Sequence, residues 1–213
     1  MAMDMDYSLY LVTDRSLSCG RSTIEVVAEA VTGGVSCVQL REKKLPIREM
    51  IAEARRLVAL LRPLNIPLII NDRVDVALAA GADGVHLGQS DMPIGDARKI
   101  LGSGRVIGIS AESVEDAVVA ERQGADYIGI SPVFGTLTKT DIAEPLGLAG
   151  VREIRKRVAV PLVGIGGIST ANAADVMMAG ADGVAVVSAI VAASCPAKSA
   201  RELLVEVRLG RGY

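Results

Sequence analysis

The sequence predicts an α/β protein, a single-domain (β/α)8 (TIM) barrel spanning residues 1–213, and three observations predict it. Short β-branched runs alternate with longer amphipathic stretches along the whole chain, the order expected of parallel strands joined by helical crossovers. The phrase Ala80-Gly81-Ala82-Asp83-Gly84-Val85 recurs as Ala179-Gly180-Ala181-Asp182-Gly183-Val184, with looser copies at Gln123-Gly124-Ala125-Asp126-Tyr127-Ile128 and Gly33-Gly34-Val35-Ser36-Cys37-Val38. The copies precede strands two, four, six and eight, roughly two strand–helix units apart, which suits a closed barrel better than an open doubly wound sheet. No Gly- or Ser-rich linker divides the chain, and 50% of its residues are hydrophobic.

The predicted strands are Leu9–Thr13, Cys37–Arg41, Pro67–Asn71, Gly84–Leu87, Val106–Ser110, Tyr127–Ser131, Leu162–Ile165 and Gly183–Val187. Predicted helices lie near 22–32, 46–62, 73–80, 94–101, 113–123, 148–157, 170–179 and 196–209. Each copy of the repeated phrase ends a helix on glycine, which adopts the left-handed conformation of a helix terminus without steric cost, and turns directly into a strand. In such a barrel the chemistry belongs at the strand C-termini and the loops that follow them.

Strand two runs out through Gln39, Arg41 and Lys43, which alternation places on one face. Two cations and an amide at the barrel mouth suit phosphate oxygens, although a solvated loop has the same composition. Strand three ends Asn71-Asp72 and strand four ends His86-Leu87-Gly88-Gln89-Ser90-Asp91. Asp72 and Asp91 thus leave adjacent strand ends, where two carboxylates suit Mg²⁺ shared with substrate phosphates; the alternative is helix capping. His86, the single histidine, receives no catalytic role. Ser110 closes strand five as an anion donor or a helix cap. Strand six opens into a polar loop containing Thr136, Thr138 and Lys139. The glycines of Gly164-Ile165-Gly166-Gly167 after strand seven, with Val187 and Ser188 after strand eight, form the expected phosphate cradle.

Composition excludes several other classes. Only 2% of residues are aromatic, so a core of Ala, Val, Ile and Leu is expected and base-stacking platforms are not. Lys plus Arg total 23 against 25 for Asp plus Glu, a formal charge of -2, so neither nucleic acid nor a membrane surface is an expected partner. Cys19, Cys37 and Cys195 form no CxxC pair, which points away from disulfides and zinc and toward a reducing compartment. An acidic N-terminal stretch and the lack of a long apolar run give a soluble, cytoplasmic expectation.

Taken in order, Tyr10-Leu11-Val12-Thr13-Asp14, Gln39-Leu40-Arg41-Glu42-Lys43, Asn71-Asp72, His86-Leu87-Gly88-Gln89-Ser90-Asp91, Ser131-Pro132-Val133-Phe134 with Thr136-Leu137-Thr138-Lys139, Gly164-Ile165-Gly166-Gly167-Ile168 and Val187-Ser188-Ala189-Ile190 resemble the thiamine-phosphate synthase family over essentially the whole chain. The resemblance implies a Mg²⁺-dependent transferase of thiamine biosynthesis. Its small-molecule substrates would be 4-amino-2-methyl-5-hydroxymethylpyrimidine diphosphate and 4-methyl-5-(2-phosphoethyl)thiazole, the latter plain or carboxylated, and pyrophosphate would be released. It assigns Gln39, Arg41, Lys43, Asn71, Ser110 and Lys139 to the pyrimidine diphosphate, with Arg41, Lys43, Ser110 and Lys139 acting in catalysis. Asp72 and Asp91 fall to Mg²⁺, and Thr136, Thr138, Gly167, Val187 and Ser188 to the thiazole phosphate. Two positions depart from the family: Glu112 stands where a histidine is frequent, and Gly135 where a proline is. The alternatives are a thiazole tautomerase, which would use a histidine at position 112, and a non-catalytic phosphate-binding barrel. Homo-oligomerisation is left open.

Overall fold

A computed structural model describes residues 5–136 and 144–212. The strands are β1 Leu9–Val12, β2 Cys37–Leu40, β3 Leu68–Asn71, β4 Gly84–Leu87, β5 Val106–Ala111, β6 Tyr127–Ile130, β7 Leu162–Ile165 and β8 Gly183–Val186. They pair in parallel, each with its sequence neighbours, and β8 returns to β1, so the sheet is a closed barrel. The helices are α1 Thr23–Thr32, α2 Ile47–Leu61, α3 Val74–Ala80, α4 Ile94–Leu101, α5 Val114–Arg122, α6 Gly147–Arg157, α7 Ala173–Met178, α8 Ser188–Val191 and α9 Pro196–Arg211. The four-residue α8 was not expected from sequence. Its apolar residues Ile190 and Val191 are too few to show helical periodicity.

Local chemistry explains the boundaries. Ser22 caps α1 and Glu25 reaches back to the Ser22 N–H, a reciprocal capping box. Along α2, Met50, Ala54, Leu57 and Leu61 are buried at helical spacing against the barrel. On the strands, alternation sends Leu9 and Leu11, Val38 and Leu40, and Leu68 and Ile70 outward into the strand–helix layer. It sends Tyr10, Val12, Cys37, Ile69, Tyr127, Val163 and Ala185 inward. The outer layer is aliphatic, as composition implies, but the barrel centre is not. Tyr7 and Tyr10 gather around Tyr127 with ring centroids 4.7 and 6.1 Å from it. A Cβ at Gly108 would lie 2.1 Å from Cζ of Tyr127, so glycine there makes room for the ring.

The repeated phrase has a mechanical role at the closed end of the barrel. Asp83 accepts from the Leu68 N–H (2.8 Å) and donates its own N–H to the Leu68 carbonyl (2.9 Å). Asp126 grips Ile107 (2.7 and 2.8 Å) and Asp182 grips Leu162 (2.8 and 2.7 Å) in the same way. Ser36 does so for Leu9, at 3.1 and 2.9 Å. Every even strand therefore enters the barrel clamped to the start of the odd strand before it, at the first residue of β1, β3 and β7 and the second of β5. Gly81 and Gly180, at φ +70 and +107, supply the left-handed turn that aims each clamp.

Asp83→Ala is expected to orphan the buried Leu68 N–H and to lower stability by about 1–3 kcal/mol, read as a shift in the urea unfolding midpoint.

Candidate active site

The strand C-termini surround one cavity of about 1020 Å³. Its lining brings together Gln39, Arg41, Lys43, Asn71, Asp72, Asp91, Ser110, Thr136, Gly167, Val187 and Ser188. Thr138 and Lys139 lie outside the described residues.

On one side stand the charges. β2 ends at Leu40, so Arg41 and Lys43 belong to the loop after the strand rather than to the strand itself. Arg41 pairs with Asp14 at 3.1 Å, and its N–H donates to the Thr13 hydroxyl at 3.0 Å. Arg15 bridges Glu42 (3.3 Å) and Glu53 (2.8 Å), pinning the residue between the two cations. Burial raises the pKa of Glu42, with Arg15 opposing the shift. Lys43 forms an ion pair with Asp72.

Asp72 and Asp91 cap no helix. Arg73 and Pro93 occupy the cap positions of α3 and α4, and neither helix has a side-chain cap. Asp72 instead sits at φ +61, a left-handed conformation costly for a non-glycine residue, in the turn leaving β3. Asp91 accepts from the Gly88 N–H at 2.7 Å. Both carboxyl groups line the same cavity, Asp72 near enough to act on the ionisation of Asp91. Burial, and then the neighbouring Asp72 carboxyl, push the Asp91 pKa up, while the Gly88 N–H and Lys43 pull it down. Among the described residues no group of three or more His, Cys, Asp or Glu side chains forms a metal cage. Two hard oxygen donors at an open cavity fit a cation that completes its shell with water and substrate phosphate, which is Mg²⁺ chemistry.

The opposite side is backbone. Gly166 and Gly167 have φ of +101 and +63, and a Cβ at Gly167 would meet the Gly135 carbonyl at 2.5 Å. Asn172 holds this loop, accepting from the Ser169 N–H (2.8 Å) and donating to the Gly167 carbonyl (3.0 Å). Val187 and Ser188 follow β8 at the same rim.

Of the floor, the sequence indicates Gln39 and Ser110 but neither tyrosine. Tyr10 and Tyr127 lie there with Gln39, His86 and Ser110, joined by hydrogen bonds. Period-two counting was the available signal, since it places Tyr10 with Val12 and Tyr127 with Gly129 on the inner face. Ser110 is not a helix cap; Ser113 caps α5. Glu112 lines the rim where the family often has histidine.

Residues 9–190 match the family described as thiamine monophosphate synthase. The thiamine-phosphate synthase of Chloroflexus aurantiacus is 54% identical over 199 residues, covering 93% of this chain and 92% of that protein. That of Clostridium novyi is 54% identical over 188 residues, covering 88% and 92%. The solved structure of thiamine phosphate pyrophosphorylase from Pyrococcus furiosus superposes with a TM-score of 0.89 at 42% identity, covering 96% of this chain and 97% of that one. With the profile matched across the barrel and relatives above half identity over nearly their full length, the chain belongs to the thiamine monophosphate synthase family.

Proposed function

We propose that the protein joins 4-amino-2-methyl-5-hydroxymethylpyrimidine diphosphate to 4-methyl-5-(2-phosphoethyl)thiazole, plain or carboxylated, to give thiamine phosphate and pyrophosphate, the carboxylated form also releasing its carboxyl group as CO2. Family membership makes it a transferase of thiamine biosynthesis that releases pyrophosphate. One observation carries the assignment of ends: a carboxylate pair flanked by Arg41 and Lys43 faces a neutral glycine cradle across the same cavity. A diphosphate with a divalent ion fits the charged side, and a phosphate monoester fits the backbone side.

Asp72 and Asp91 would hold Mg²⁺, which when bound neutralises charge growing on the diphosphate oxygens. Arg41 is already oriented by Asp14. Lys43, released from Asp72, turns its ammonium to the same anion. Gln39 from the floor and Asn71 from the cavity wall would orient the pyrimidine diphosphate. We assign Lys139 to this anion, and Thr138 to the thiazole phosphate, on the family resemblance. Thr136, Gly167, Val187 and Ser188 would hold the thiazole phosphate. The bond from the pyrimidine methylene to oxygen breaks with its electron pair leaving on pyrophosphate, and the thiazole nitrogen lone pair forms the new C–N bond. With the plain thiazole no proton is gained or lost, so the residues act by electrostatics and positioning. Glu112 at the rim gives a tautomerase no histidine at that position.

Among the described residues no helix is long and apolar enough to cross a membrane. Three free cysteines fit a reducing cytoplasm, where we place the enzyme.

Purified protein given both substrates and Mg²⁺ is expected to release pyrophosphate and thiamine phosphate together, and chelation should stop both; isomerised thiazole without pyrophosphate would contradict the assignment. Lys43→Met is expected to lower kcat by about 10²–10³ in the same assay, the scale of losing one donor to developing charge.

Asp91 carries a sign that can be checked. Its raised pKa means that the ionised form is disfavoured by the fold, so above that pKa the group costs stability. Asp91→Asn should therefore hold or raise Tm at neutral pH while abolishing Mg²⁺-dependent turnover. In the unmodified protein, the Mg²⁺ concentration giving half activity should begin to climb on acidification at a pH above the ordinary aspartate range.

A further inference from the structure

Five polar side chains cross the cavity floor in an unbroken hydrogen-bonded file. Gln39 Nε2 donates to Tyr10 Oη at 3.0 Å, and Tyr10 Oη meets Tyr127 Oη at 3.0 Å. Tyr127 Oη meets His86 Nδ1 at 2.8 Å, and His86 Nε2 meets Ser110 Oγ at 2.9 Å. All five line the cavity, yet Tyr10 and Tyr127 are only 1% and 0% exposed. A phenol proton without an acceptor at either position is costly.

Counting protons sets the direction of the file. An amide nitrogen only donates, so Tyr10 Oη accepts from Gln39 and passes its own proton to Tyr127. Tyr127 then donates to His86 Nδ1, which must be bare. The imidazole proton therefore sits on Nε2 and goes to Ser110 Oγ. The Ser110 hydroxyl proton is the one these five side chains leave over, at the cavity. Reversing the file, or protonating both imidazole nitrogens, strands a buried phenol proton instead. The Cys37 thiol beside Tyr10 is a weak acceptor for it.

We infer that Gln39, Tyr10, Tyr127 and His86 form a proton-ordering relay that holds Ser110 as a standing hydrogen-bond donor to the bound pyrimidine diphosphate, with His86 as its neutral Nε2–H tautomer. Ser110 touches the substrate; Tyr127 and His86 are positioning residues that act through it. A donor oriented before substrate arrives needs no reorganisation when charge develops. The identity of the acceptor rests on the function proposed above, whereas the proton order of the file does not.

His86 is the only histidine in the chain, so ¹⁵N-histidine labelling of untagged protein yields a single imidazole spectrum. At neutral pH the ligand-free protein is expected to show protonated Nε2 and bare Nδ1. Tyr127→Phe removes the donor to Nδ1 and is expected to shift that resonance. It should also lower kcat about three- to tenfold, the worth of one neutral hydrogen bond, with KM for the thiazole phosphate unchanged. Protonated Nδ1 in the unmodified protein overturns the relay, as does a Tyr127→Phe protein with unaltered spectrum and turnover. The unmodified spectrum decides alone if the variant does not fold. Observing the Nε2–H tautomer without thiamine phosphate formation would remove the proposed function and leave the proton order standing.

Discussion

Two carboxyl groups, Asp72 and Asp91, face one cavity from the ends of adjacent strands, and the proposed site depends on that proximity. Like charges at this range repel, so the fold must compel it. A left-handed Asp72 aims one group, the Gly88 N–H fixes the other, and Lys43 supplies partial neutralisation. Each element suits the joint binding of a multivalent cation and an anion proposed for this site. Neither residue caps a helix, and both carboxylates face the cavity.

That strained rim needs a rigid support, and the closed end of the barrel provides one. Clamps from Ser36, Asp83, Asp126 and Asp182 tie each even strand to its predecessor with two hydrogen bonds apiece. The clamps thus lie at one end and the cavity at the other, the division of labour expected of this architecture. Between them lies a polar floor built on tyrosines, where Gly108 gives up its side chain to make room for Tyr127. The cavity meets its substrates with charge on one wall, backbone on the opposite wall and an ordered hydrogen-bond file beneath.

The barrel was legible in the sequence because short β-branched runs and the repeated phrase are local signals, and strand boundaries fell within a residue or two of those seen. The repeat marked strand starts correctly, but its clamping role was hidden, since Asp83 and Leu68 are brought together only by the closed sheet. Asp72 and Asp91 were legible as a pair because both follow adjacent strands. The ion pairs Arg41–Asp14 and Lys43–Asp72 were not, because they join different loops. Tyr10 and Tyr127 read as ordinary core because aromatics are sparse in this aliphatic sequence, and His86 reads equally as a packed strand histidine, so its hydrogen bonds to Tyr127 and Ser110 are visible only in the fold. α8 was missed because four residues carry no period.

The central claim is that the charged wall binds the departing diphosphate jointly with a divalent ion. Titration calorimetry of inorganic pyrophosphate into the protein, with and without Mg²⁺, tests it most directly. The account predicts binding that requires Mg²⁺ and disappears in the Asp72→Asn, Asp91→Asn double variant. Pyrophosphate that bound equally well without the ion, or equally well to the double variant, would contradict it.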